Sequence, residues 1–264
     1  MITTTLFFEA NSFKSIIEPS TSVIKSGNPA NNELTKKELR NNRVNKNLTI
    51  FPDKQVADYR SNITGQPDSV NIRKQQMDTR GSDISFIIDQ LEKLQNGSIK
   101  STLNGKLDLQ KIAVAGHSYG GSTATVAAHK DERIKACAVL DSWLSPVPEP
   151  IISAGIHVPF LFMGRPTWEG SDYPGNYPRR DSLMAHSSEP KYRMIIKNTL
   201  HQDYTDIPLF SPIIGYVMQV GDLSPEISLT LINRLTHGFL DKHLLGRNGK
   251  KFDQILMNDL IIRF

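Results

Sequence analysis

Cysteine is almost missing from this chain. The single one, Cys137, excludes an internal disulfide. It sits in the apolar run Ala136 to Leu140, which predicts a buried, inert thiol. No apolar run reaches the length that would span a bilayer. The stretch Met1 to Phe8 has neither a basic start nor a long apolar core, so no signal peptide is legible and the cytoplasm is the default compartment. A basic stripe interleaved with aromatics is also missing. Lys and Arg number 31 against 27 Asp and Glu, and the resulting charge of +4 gives nucleic-acid binding no support. No cluster of His, Cys, Asp and Glu has metal-ligand spacing, so no metal or other cofactor is expected. There is no internal repeat. No histidine precedes His117.

What is there suits one α/β domain. The chain has 264 residues, 38% of them hydrophobic, enough for a sizeable core. Residues 26–47 are polar and Asn/Lys-rich, with little that could enter that core. The division expected is therefore a polar N-terminal segment, 1–47, and a core, 48–264. Leu48 to Phe51 reads as a short strand. From Met77 to Leu94 the residues Ile84, Ile87, Ile88, Leu91 and Leu94 share one helix face, and Asn96-Gly97 ends it. Beyond residue 110 the pattern alternates. Strands are expected at 111–115, 134–140, 158–163 and 192–198. Helices are expected to about 130, near 181–187, at about 211–219 and at about 224–245. Near-continuous apolar strands alternating with helices indicate a buried, mostly parallel sheet flanked by helices.

The most informative run is Gly116-His117-Ser118-Tyr119-Gly120-Gly121. It follows the strand signal Lys111 to Ala115 and precedes a small-residue segment, Ser122 to His129, that can start a helix. Strand, sharp turn and helix form the context of a nucleophile elbow. The glycines give room for a strained serine, and the helix N-terminus behind it offers unpaired N–H groups. The Tyr119 N–H then points to where an oxyanion forms.

A serine hydroxyl needs an imidazole to take its proton and an acid to orient that imidazole. The chain order for such an elbow is serine, acid, histidine. That order removes His117, which reads as local packing, and leaves His129, His157, His186, His201, His237 and His243. Of these, His201 follows strand 192–198 at the end of the sheet where such groups gather. Three acids compete by pattern. Asp141 ends strand 134–140, whereas Glu169 and Asp172 follow the next strand. Trp143 reads equally as an acyl-pocket wall or as core.

At these residues the chain resembles the platelet-activating factor acetylhydrolase family, plasma and type II-like. The resemblance rests on Lys111 to Gly121, on Ala138 to Val147 with its Leu-Asp-x-Trp piece, on Pro159 to Phe162 and on Leu200 to Asp206. It covers roughly residues 48–246, weakly before 77. It implies an α/β-hydrolase fold with Ser118 as nucleophile, Asp141 as acid and His201 as base. It also implies calcium-independent removal of short or oxidised sn-2 acyl groups from phospholipids, with simpler carboxylic esters as the wider class. The alternatives are a broad small-ester carboxylesterase or a non-catalytic member. In the family a helix after the catalytic histidine engages lipid surfaces, and Pro212 to Met218 is the matching segment. The family's early His-Gly loop, which carries the second oxyanion donor, has no counterpart in residues 1–76. The fold is thus expected to be shortened or altered on its N-terminal side.

Overall fold

The strands at the middle of the sheet carry buried apolar runs: Ile112 to Ala115, Ala136 to Leu140 and Phe160 to Met163. In the computed structural model, residues 2–8, 47–50 and 56–58 are described as strands, and residues 69–264 are described apart from 168–174, 212 and 219. Eight strands are described: β1 (Ile2–Phe8), β2 (Asn47–Ile50), β3 (Val56–Asp58), β4 (Leu107–His117), β5 (Ile134–Leu140), β6 (Phe160–Gly164), β7 (Lys191–Ile196) and β8 (Ile261–Arg263). Six of them form one sheet in the order β1-β4-β5-β6-β7-β8, and β2 and β3 form a separate antiparallel pair. The first five strands of the large sheet run parallel. Only β8 is antiparallel, pairing with β7.

The helices are α1 (Ser69–Gln95), α2 (Tyr119–Lys130), α3 (Glu149–Ala154), α4 (Asn176–His186), α5 (Ile207–Phe210), α6 (Pro225–His243) and α7 (Lys250–Ile255). They cover both sheet faces, and alternate strand residues go to opposite cores. Ile112, Val114, Cys137, Val139, Phe160 and Phe162 pack toward α1 to α4, meeting Met77, Ile84, Ile88 and Leu183. Ala113, Ala115, Ala138, Leu161 and Met163 pack toward α6 and α7, meeting Leu231, Leu235, Phe239 and Phe252. Cys137 is fully buried, and burial pushes its thiol pKa up. No helix among the described residues is long and apolar enough to cross a membrane.

Several expectations change. The core does not begin at residue 48, because β1 lies in the main sheet, parallel to β4 and ending with Phe8 opposite Gly116. Three threonines give this stretch a polar look, yet threonine is β-branched and suits a strand. The stretch 26–46 lies outside the described residues. The Pro-rich loop after β5 contains helix α3, with Pro148 as its N-cap and a proline in its first turn. There the missing N–H costs nothing, because the first N–H groups of a helix have no intrahelical acceptor. The helix expected at about 211–219 is reduced to a 3₁₀ turn, Ile214–Tyr216. Ile213, Tyr216 and Val217 are exposed, so no core packing stabilises a longer helix.

Candidate active site

Strand β4 delivers Ser118. It ends at His117, α2 begins at Tyr119, and Ser118 between them has φ 55° and ψ −120°. This is a strained conformation for a residue with a side chain. Two contacts hold it. The Ser118 N–H donates to the Leu140 carbonyl (3.0 Å), and its carbonyl accepts from the Trp143 N–H (3.1 Å). A Cβ at Gly116 would collide with the Gly120 carbonyl, so the turn can be this tight only with glycine there.

The ends of β5 and β7 supply the partners. His201 opens a 3₁₀ turn, His201–Tyr204, shortly after β7. Its Nε2 lies 3.0 Å from Ser118 Oγ. Its Nδ1 lies 2.6 Å from Asp141 Oδ2. Asp141 follows the last residue of β5 and is fully buried. Its Oδ1 accepts from the Arg165 N–H at 3.2 Å, and its Oδ2 also faces Arg165 Nε at 3.2 Å. Burial alone would raise the Asp141 carboxyl. The His201 hydrogen bond and charge, with the Arg165 guanidinium, outweigh it and hold the pKa below the ordinary value. A Cβ at Gly164 would sit 3.2 Å from Asp141 Oδ1, so the absence of a side chain gives the carboxylate room.

His117 backs the imidazole rather than replacing it. Its ring centroid is 4.5 Å from that of His201, and its Nε2–H donates to the His201 carbonyl at 3.1 Å. A carbonyl only accepts, so the proton of His117 sits on Nε2. Burial, and then the neighbouring His201, push its pKa down to about 3, so it stays neutral. The remaining histidines are engaged elsewhere. His129 bonds the Gly155 carbonyl, His157 Ser188, His186 the Ser182 carbonyl and His243 Tyr192. His237 lies exposed on α6.

Among the competing acids, Glu169 and Asp172 lie outside the described residues. Trp143 is half-buried, packed against the core with its ring 6.0 Å from that of Tyr119. The Tyr119 N–H stands at the first position of α2, where no intrahelical acceptor exists. On the far side of β4 runs β1, and the residues after Phe8 are outside the described ones. No group of three or more His, Cys, Asp or Glu placed to hold a metal ion occurs among the described residues.

Three residues were not singled out from sequence. Arg165 grips Asp141. Asn176 is buried at the start of α4, where its Oδ1 accepts from the Leu144 N–H (2.6 Å) and its Nδ2 donates to the Ser142 carbonyl (3.2 Å). Those bonds brace the loop beyond Asp141. Asp203 Oδ2 accepts from the Leu200 and Gly221 N–H groups, each at 2.7 Å, and so pins the turn that carries His201. Arg165 had a signal, its place at the carboxyl end of a parallel strand, where functional groups of such sheets gather. The other two act through backbone bonds that leave no spacing signature.

An elbow serine, a histidine after the last parallel strand and a buried aspartate between them, on this sheet, define an α/β-hydrolase. A ferulic acid esterase from Streptomyces cinnamoneus shares the fold, with a TM-score of 0.57, 23% identity and coverage of 75% of this chain and 56% of that one. Within that class the chain belongs to the platelet-activating factor acetylhydrolase, isoform II, family, whose model matches residues 37–259. Platelet-activating factor acetylhydrolase of Canis lupus familiaris is 27% identical over 223 residues, covering 77% of this chain and 49% of that protein. The Bos taurus protein is 34% identical over 154 residues, covering 58% and 33%. That of Gallus gallus is 26% identical over 217 residues, covering 77% and 50%. The chain thus spans about half the length, or less, of the curated relatives it matches.

Proposed function

We propose that this chain hydrolyses carboxylic esters through Ser118, His201 and Asp141, with phospholipids bearing short or oxidised sn-2 acyl groups as the substrate class. One observation carries the chemistry: a strained serine hydroxyl 3.0 Å from an imidazole whose other nitrogen lies 2.6 Å from a buried carboxylate. The substrate class is supported by the family and by the names of its relatives.

Ser118 Oγ attacks the ester carbonyl carbon as its proton passes to His201 Nε2. The tetrahedral oxyanion is stabilised by the Tyr119 N–H. The carbon–oxygen bond to the alcohol then breaks, and the alcohol departs with the proton from Nε2. Water attacks the acyl-enzyme and gives a proton to Nε2, which returns it to Ser118 Oγ as the carboxylic acid leaves. Asp141 holds the imidazole in the Nδ1–H tautomer and stabilises its cation.

The approach of a lipid is supported by an apolar surface beside the site. Helix α5 packs on the turn that carries His201. Phe210, Tyr216 and Val217 in and after it are 79%, 90% and 76% exposed. Contiguous exposure of large apolar side chains marks an interaction surface, and a lipid interface is the partner that suits the substrate.

The test uses the whole chain on a series of phosphatidylcholines differing only in the sn-2 chain, beside a fluorophosphonate label. Labelling, and faster release of acetyl than of palmitoyl groups, is the expected result. A folded sample that takes no label overturns the hydrolase reading, and equal rates on all chains overturn the short-chain preference. In the same experiment Val217→Asp is expected to slow turnover on vesicles roughly tenfold while affecting a dissolved ester far less, as a lost apolar contact requires. An equal loss on both overturns the docking role.

A further inference from the structure

Two arginines on α1 lack a partner that the other sheltered arginines have. Arg133, Arg165, Arg179, Arg180 and Arg193 are buried or half-buried, and each pairs with a carboxylate. Arg73 and Arg80 are half-buried too, yet among the described residues neither meets a carboxylate. Arg73 Nη1 donates to the neutral Gln76 Oε1 at 3.2 Å. Otherwise both guanidinium groups lie against one ring, their central carbons 5.2 Å and 5.0 Å from the centroid of Tyr119. The two residues stand about two helical turns apart, so their side chains leave the same face of α1. A guanidinium carries five N–H donors, and a ring face accepts only weakly from them. Two cations held together and partly withdrawn from water also repel one another. A shared anion relieves both deficits.

The pair stands beside the elbow. Tyr119 is the residue after Ser118, and its N–H is the oxyanion donor of the mechanism above. Its hydroxyl donates to the Arg73 carbonyl at 2.8 Å. One tyrosine side chain thus links the arginine-bearing stretch of α1 to the point of attack. Both charges act on that side chain: burial pushes the Tyr119 phenol up to about 12, with Arg80 and then Arg73 working the other way. The helix leads into β4, so its early residues lie toward the carboxyl ends of the parallel strands, where ligands of such sheets bind.

We propose that Arg73 and Arg80 form an anion site that takes the phosphodiester of the phospholipid whose sn-2 ester is held at Ser118. This rests on the hydrolase reading given above. In such a lipid two oxygens and two carbons separate the sn-2 carbonyl carbon from phosphorus, so the phosphate lies close to the elbow whenever the ester does. The guanidinium fork matches phosphate oxygens, pairing two N–H groups with two acceptors. The arginines then read the headgroup side of the glycerol, while Ser118, His201 and Asp141 act on the ester alone.

The experiment compares, in the full chain, an sn-2 acetyl phosphatidylcholine with the matching sn-2 acetyl diacylglycerol, which lacks the phosphate. Both are presented in the same neutral detergent micelles to wild type, Arg73→Gln, Arg80→Gln and the double variant. Each single variant is expected to lose roughly tenfold in kcat/KM on the phosphate-bearing ester, the scale of a hydrogen bond to a charged group, and less than about twofold on the other. Equal losses on both esters mean that the arginines only support Tyr119, and overturn the proposal. An unchanged rate on the phosphatidylcholine overturns it as well. A third ester, an sn-2 glutaroyl diacylglycerol, ends its acyl chain in a carboxylate and has no phosphate. A loss confined to that ester gives the site to acyl-chain carboxylates and overturns the phosphodiester assignment. Binding is also read without turnover, from the phosphorus NMR line width of glycerophosphocholine titrated into wild type and the double variant. Broadening in wild type that disappears in the double variant is expected. No broadening in wild type, or equal broadening in both, overturns the site. If the double variant does not fold, the single variants carry the comparison. A folded wild type that takes no fluorophosphonate label sinks the hydrolase reading, while the titration still decides whether the arginines bind a phosphodiester.

Discussion

Ser118→Ala and His201→Gln are each expected to lower ester turnover by about 10⁵- to 10⁶-fold, and the double variant by no more than either alone. The reason is that the two side chains perform one step. The hydroxyl is a useful nucleophile only while a proton acceptor stands at 3.0 Å, and the imidazole has no other proton to move in the acylation step. Remove either and the remaining catalysis comes from the Tyr119 N–H and from substrate binding, which both single variants and the double variant retain. Initial rates on a chromogenic acetyl ester at saturating concentration measure this. Losses that multiply in the double variant would mean that Ser118 and His201 act in separate steps. A turnover retained in Ser118→Ala would place the nucleophile elsewhere. The substitutions remove side-chain groups only, and the strained backbone at Ser118 is held by main-chain bonds to Leu140 and Trp143. The fold is therefore expected to persist in both.

The legible part of this protein is the part encoded by short-range pattern. Strand β5 is apolar but for Lys135, and its bounds, 134–140, are legible in the sequence. The elbow is legible because two close approaches dictate its glycines, Gly116 against the Gly120 carbonyl and Gly121 against the Ser142 side chain. His201 was found by topology, since the order of the parallel strands fixes which loop faces Ser118. Asp141 was ambiguous by pattern, and only the hydrogen bond to His201 places it beside the base. The illegible part depends on contacts distant in sequence. Strand β1 is recognisable only through its pairing with β4, some hundred residues on, because its threonines do not alternate with apolar residues. Strand β8 has three residues and exists by pairing with β7. The 3₁₀ turn at Ile214–Tyr216 reversed a helix expectation. Its apolar residues face outward, and helical period without a core to pack on confers little stability. The contact of Arg165 with Asp141 joins the ends of two neighbouring strands, and no spacing in the sequence encodes it.

Asp141→Asn is expected to lower turnover by about 10⁴-fold, a loss that comes from tautomer as much as from charge, and to lower the unfolding temperature as well, because it takes a carboxylate away from the buried Arg165 guanidinium. The carboxylate serves donors at both oxygens. Arg165 N–H reaches Oδ1, His201 Nδ1–H reaches Oδ2, and the Arg165 guanidinium forms an ion pair with Oδ2. An amide offers one oxygen and one NH₂. Whichever way it turns, its NH₂ meets a donor. If the NH₂ faces Arg165, the oxygen still accepts from Nδ1–H, but the negative charge is gone. If it faces His201, the imidazole must carry its proton on Nε2, and that nitrogen can no longer accept the proton of Ser118. Both arrangements fail in the same step, which is why the charge-neutral isostere is as damaging as it is small. Parallel rates for Glu169→Gln and Asp172→Asn decide the assignment. With Asp141 as the acid, losses of no more than a few fold are expected in those two variants. If either of them lost as much as Asp141→Asn is expected to lose, while Asp141→Asn itself stayed near wild type, the acid of this site would lie after β6 instead of β5. The 2.6 Å contact between Asp141 and His201 would then be a packing arrangement without catalytic consequence.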